Sequence, residues 1–269
     1  MHVSPWALRV IIKNGINCIG HATLKICHNL GSFFLFLFRA VKTGATTKLR
    51  TNKVAVQMSR IGIDSLIIII LTGLFTGMVL ALQTYIGFQR VGGEQLIGAV
   101  IALSMVRELG PVLTGLMVAG RASSAIAAEI GTMRITEQID ALRTLRINVF
   151  QYLVVPRILG GTLIVPFLTV FSMIFGIIGG YIICIFVLEL SPEDYINGIK
   201  TLVDLSDIMS GLCKATVFGF LLTWVGTYKG YYTTGGASGV GRATTQSVVT
   251  SSISIVIANF FLTKLIECL

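Results

Sequence analysis

Residues Ile61–Tyr85 read IGIDSLIIIILTGLFTGMVLALQTY, with an unbroken apolar run from Leu66 to Leu71. A helix rises about 1.5 Å per residue, so about 20 apolar residues cross the hydrocarbon core of a bilayer. This stretch is long enough and predicts a membrane-spanning helix. Gly73 and Gly77 stand four residues apart in it, a spacing that lets two helix backbones approach closely.

Outward from this segment the pattern repeats. A polar turn, Gln89–Gln95, leads to a second span over Leu96–Val118, with the helical pattern extending to Ile130. A charged stretch, Arg121–Arg157, precedes a third span over Ile158–Leu188, interrupted by Pro166. After an acidic segment holding Glu189, Glu193, Asp194, Asp204 and Asp207 comes a fourth span, Ile208–Tyr228. A Gly/Ser/Thr-rich loop, Lys229–Arg242, leads to the fifth, Gln246–Ile266. Gly31–Phe38 is apolar but too short to cross alone. Before it, Leu8, Ile11, Ile12, Ile16 and Ile19 recur at helical spacing, which predicts an amphipathic helix lying in the interface. The expected architecture is an all-α membrane protein: an N-terminal interfacial region over 1–54, then a domain over 55–269 with five transmembrane helices and a short cytoplasmic helix.

Composition agrees. The chain has 269 residues, 54% hydrophobic and 12% charged, with mean hydropathy +0.85. Soluble domains carry about 25% charged residues, so the bilayer is the solvent that fits. The 29 glycines lie within long apolar runs, where small residues serve helix packing. Net charge is +9, but most basic residues flank apolar segments. They read as topology signals rather than a nucleic-acid surface. Six basic residues lie between 39 and 60, five arginines between 121 and 157, and Lys229 with Arg242 in the fourth connection; the opposite connections hold only Arg90, and Lys200 among acids. This alternation puts 121–157 and 229–242 on the cytoplasmic (or stromal) side and the C-terminus on the other. No metal site is expected. Cys18, Cys27, Cys184, Cys213 and Cys268 lack zinc-ligand spacing, and His2, His21 and His28 lack companions. Gly235–Arg242 lacks the G-K-[ST] ending of a phosphate-binding loop, so this chain is not expected to hydrolyse ATP.

Three features carry candidate chemistry. Arg107-Glu108 sits inside the second span, where charge is expensive and marks function by default. Neighbours on a helix point about 100° apart, so each needs its own partner: another helix, a water-filled cavity or a ligand. Pro111 loosens the backbone one turn on. Lys214 raises the same question in the fourth span, either snorkelling to the interface or lining a polar cavity. Third, Glu129–Arg143 reads as a short amphipathic helix with Ile130, Met133, Ile139 and Leu142 as its apolar positions. It is either a surface-lying helix or a lever that docks in a partner's groove. Ser123 and Ser124 have no general base nearby and read as close-packing residues.

Six segments together resemble the MlaE-type (YrbE-type) permease family of ABC transporters: Gly77-Met-Val-Leu-Ala-Leu-Gln83, Arg107-Glu-Leu-Gly-Pro-Val112, Ala119-Gly-Arg-Ala-Ser-Ser-Ala125, Ala128-Glu-Ile-Gly-Thr-Met-Arg134, Thr136-Glu-Gln138 and Gly241-Arg-Ala-Thr-Thr245. The resemblance runs from about residue 55 to 265. It implies a non-catalytic homodimeric permease that moves phospholipid between membranes. It also implies a separate cytoplasmic or stromal ATPase holding ATP and Mg, and an MCE-domain lipid-binding protein on the far face. The same resemblance makes Glu129, Gly131, Thr132, Met133, Arg134, Thr136, Glu137 and Gln138 an ATPase-coupling segment. It places Met78, Leu82, Tyr85 and Phe88 beside a lipid cavity, and matches Arg107, Glu108 and Lys214 to charged positions of the family. An Ile-rich composition further suggests a bacterial inner-membrane or plastid inner-envelope member, like the Ycf-type plastid permeases. Two rival readings are a self-sufficient secondary transporter or channel relaying ions through Arg107, Glu108 and Lys214, and a membrane enzyme acting on lipids through Ser123.

Overall fold

The computed structural model describes residues 24, 27–28, 30–47, 51–89 and 92–268. The amphipathic pattern expected over Leu8–Ile19 lies outside these residues. Two compact units are present, Met1–Thr47 and Lys48–Leu269. The first contains a helix, α1, over 30–46.

The second unit is built from α2 (Thr51–Phe88), α3 (Glu94–Ile135), α4 (Gln138–Thr144), α5 (Phe150–Phe186), α6 (Pro192–Leu202), α7 (Leu205–Tyr231) and α8 (Gly236–Glu267). Five of these, α2, α3, α5, α7 and α8, are long and apolar enough to span a membrane. Each begins before the span predicted from hydropathy and all but α5 end beyond it, because polar residues at the membrane edge continue the hydrogen-bonded ladder in water. The loop expected over Lys229–Arg242 is therefore mostly helix. Only residues 232–235 break it, where Gly235 takes a left-handed φ of 90°. Likewise α5 runs unbroken through Pro166. Interior prolines are tolerated in membrane helices because neighbouring groups re-satisfy the freed backbone.

The longest contact is between α2 and α5. The buried residues of α2 (Ile61, Gly62, Ser65, Ile69, Gly73, Gly77, Ala81) form a stripe of near four-residue spacing. A Cβ on Gly73 would stand 2.8 Å from the carbonyl oxygen of Ser172. The glycine spacing thus fulfils its expected role of close helix approach. Helix α7 packs against α3, α5 and α8. Two apolar cores result. One lies around Val118, Ile130, Phe218, Leu222 and Ile255. The other surrounds Ile97, Ile101, Met105, Cys184 and Tyr195. The outward faces are also apolar: Ile63, Ile67, Phe75, Phe167, Phe260 and Phe261 are all exposed. Such a surface is stable only against lipid or another protein.

Helix α6 was not foreseen; its segment reads in sequence as acidic connection. Pro192 in its first turn, with Glu193 and Asp194 there, gives the helix start signal. Tyr195 pins it down by donating from its hydroxyl to the Ile177 carbonyl at 2.9 Å. Burial pushes the Tyr195 phenol well above its usual pKa.

Candidate functional site

The expectation that Arg107 and Glu108 need separate partners holds. In α3, Met105–Leu109 forms a π-helical turn directly ahead of Pro111. Proline has no N–H, so the Arg107 carbonyl, four residues back, loses its α-helical donor. Lys214 from α7 donates to it, Nζ to O 3.0 Å. The same ammonium donates to Glu108 Oε1 at 2.5 Å and to Thr263 Oγ1 of α8 at 2.9 Å. An ammonium has three donors, and all three are thereby directed at acceptors. Glu108 also accepts from Asn259 Nδ2 at 2.9 Å, through Oε2. Arg107 turns the other way, donating from Nε to Asp207 Oδ1 at 2.6 Å. Asp207 in turn accepts from the Asp204 backbone N–H at 3.0 Å, capping α7.

Lys214 does not snorkel, since its side chain is only 3% exposed. Arg107 is the accessible member, 58% exposed against 4% for Asp207. With Ser206, Ser210 and Ile266 these groups line a cavity of about 370 Å³. It lies toward the ends of α7 and α8 that the charge pattern assigns to the far side. Asp207, Asn259 and Thr263 are site residues that sequence reasoning did not single out. The four-residue spacing of Asn259 and Thr263 in an apolar helix was the available signal.

The span-one residues sit elsewhere. Met78, Leu82, Tyr85 and Phe88 do not line this cavity. Tyr85 and Phe88 are half-buried against the Ile97–Tyr195 core, while Leu82 is exposed.

The segment that the charge pattern assigns to the cytoplasmic side is divided where one amphipathic helix was expected. Glu129–Ile135 completes α3, the chain turns at Thr136-Glu137, and α4 begins at Gln138. Glu137 takes a left-handed φ of 59° at the corner. The predicted coupling residues fall into two groups. Thr132, Thr136, Glu137 and Gln138 are exposed on the corner. The others are engaged within the chain: Gly131 is buried, Met133 and Arg134 are half-buried, and Glu129 is exposed but paired. Ideal Cβ placement on Gly131 meets Thr233 at 3.1 Å. Arg134 Nη1 donates to both Asp140 carboxylate oxygens, at 2.9 and 3.0 Å, bracing the corner. Glu129 bridges Arg157 at 2.9 Å and Arg60 at 3.5 Å, and Met133 lines the cavity beside them.

Between these two regions Arg121 lies in a second π-helical turn, Ala119–Ser123. Its guanidinium donates to Ser65 Oγ, Asp64 Oδ2 and the Arg60 and Ile61 carbonyls, all within 3.1 Å, tying α3 to α2. Ser123 is fully buried, with the Leu222 carbonyl, Ser247 and Ser251 within 3.0 Å. No histidine, carboxylate or lysine is among these partners, so it serves packing rather than attack.

The arrangement is that of a multi-pass integral membrane protein in which the cost of charge within apolar helices is met by pairing across helices around an open cavity. The sequence model of the family described as Permease MlaE matches residues 54–265, and the chain belongs to that family. It is 46% identical to a probable ABC transporter permease protein of Rickettsia conorii over 255 residues, covering 95% of this chain and 98% of that one. It is 34% identical to the intermembrane phospholipid transport system permease protein MlaE of Haemophilus influenzae, covering 95% and 98% of the two chains. It is also 39% identical over 208 residues to a chloroplastic Arabidopsis thaliana protein named Trigalactosyldiacylglycerol 1, covering 77% of this chain and 59% of that protein. It is a permease of the ABC transporter class.

Proposed function

We propose that this chain moves phospholipid between membranes as a homodimeric, non-catalytic subunit. A separate ATPase holding ATP and Mg drives it, and an MCE-domain protein exchanges lipid on the far face. The observation that carries the reading is the polar cavity of Arg107, Glu108, Asp207 and Lys214 inside an apolar helix set. A phospholipid needs such a pairing of a charged pocket for its headgroup with apolar surface for its chains. Arg107, the exposed cation, is the group available to a phosphate. The exposed apolar side of α8 (Val249, Ile253, Val256, Phe260) supplies surface for a second copy or for acyl chains. Met78 and Leu82 offer further apolar surface on α2.

The exposed corner Thr132, Thr136, Glu137 and Gln138 is the part of the coupling segment free to meet the ATPase, while Glu129, Gly131, Met133 and Arg134 hold it in place. The ion-relay rival is less well served, because the donors of Lys214 already have acceptors.

The test is reconstitution with the ATPase and labelled phospholipid. T136A/E137A/Q138A should abolish ATP-driven transfer while leaving helix content unchanged. Undiminished transfer by that variant, or transfer by the wild-type chain alone, would overturn the proposal.

A further inference from the structure

At the cytoplasmic end of the bundle, α2, α3 and the start of α5 enclose a second cavity, of about 400 Å³. Its polar lining includes Lys53, Arg60, Arg157 and Glu129, with Val56 and Pro156 among the apolar walls. Three cations face one carboxylate, which leaves two positive charges in excess. Arg157 is the built part. Its side chain is 4% exposed, Nη1 donates to the Leu153 carbonyl at 2.9 Å, and Nη2 pairs with Glu129 at 2.9 Å. Its Nε is buried with no hydrogen-bond partner. A buried N–H without an acceptor is costly, and a guanidinium with a spare edge is suited to a phosphate. The π-helical turn Phe150–Val154, just ahead of Pro156, shapes this wall.

Position selects the ligand class. Arg60 lies three residues before Ile63, which is 68% exposed and lies in the membrane-spanning run. At 1.5 Å per residue that is about 4.5 Å along the axis, so Arg60 sits where lipid headgroups end and acyl chains begin, with Lys53 about 10 Å further out. We infer that this cavity binds the phosphate of an anionic lipid in the cytoplasmic leaflet, with Lys53, Arg60 and Arg157 as donors and Glu129 as the group the phosphate displaces. The site is separate from the far-side cavity, and its occupancy does not depend on transport.

Native mass spectrometry of the full chain in detergent, titrated with phosphatidic acid and with diacylglycerol as the phosphate-free control, reads occupancy directly. K53Q/R60Q should weaken phosphatidic acid binding by about ten-fold or more. E129Q should strengthen it several-fold, and diacylglycerol should respond to neither. R146Q/R242Q removes the same charge from two exposed arginines and should leave binding unchanged. Equal weakening by both double variants would reduce the effect to general attraction and overturn the inference. So would weaker binding in E129Q, or inorganic phosphate competing with lipid at equal affinity, which would make the ligand a free anion. Because binding is read on the chain alone, failure here leaves the transport proposal standing, and failure of ATP-driven transfer leaves this one standing.

Discussion

Glu108 and Glu129 lie on the same helix, 21 residues or about 32 Å apart, and each pairs with one buried cation but differs in its remaining partners. Glu108 sits among Lys214, Asn259 and Thr263, drawing α7 and α8 onto α3 around a buried ammonium. Glu129, 43% exposed against 39% for Glu108, meets one buried and one exposed arginine, drawing α2 and α5 onto α3 at the membrane edge. The first is a fixed joint, because undoing it strands charge in a low-dielectric interior. The second is adjustable on its exposed side, because water or a ligand can replace Arg60. Helix α3 is thus a rod locked to one pair of helices near Glu108 and able to re-pair with Arg60 near Glu129, next to the corner proposed to meet the ATPase.

Removing one partner at each end separates the two. K214M leaves Glu108 and the Arg107 carbonyl without their ammonium donor and should cost about 3 kcal/mol, read as a drop in melting temperature in detergent, with most of it recovered in E108L/K214M. Equal stability of K214M and wild type would erase the contrast. R60Q removes an exposed cation from Glu129 and should cost less than about 1 kcal/mol; a loss as large as that of K214M would make both ends fixed joints. The smallest effect is expected at the corner. E137G relieves a left-handed non-glycine residue but adds backbone freedom, so melting should shift by no more than about 1 kcal/mol in either direction. A larger loss would show that the Glu137 side chain is a structural brace.

The number and order of the spans were legible because each needs about 20 apolar residues and lipid permits few exceptions. Their ends were not. Hydropathy stops at the membrane surface, whereas the backbone ladder of α2 starts at Thr51 and that of α8 at Gly236. The intramembrane charges announced themselves by their cost, but their partners did not. Asp207 reads in sequence as one acid among several, and Asn259 and Thr263 as scattered polar residues. The split at Thr136-Glu137 was hidden because Ile130, Met133, Ile139 and Leu142 keep helical spacing across a corner that one left-handed residue creates. Pro111 gave notice of backbone irregularity, though not that it follows a π-helical turn holding Arg107.

The central claim is that the exposed corner and the Arg107–Lys214 cavity open on opposite faces of the membrane. Impermeant thiol labelling of Q138C and S206C, in a cysteine-free background in sealed vesicles of known orientation, tests it directly. The account predicts that Q138C labels only from the side holding ATP and S206C only from the other. Labelling of both from one side, or the reverse assignment, would contradict it.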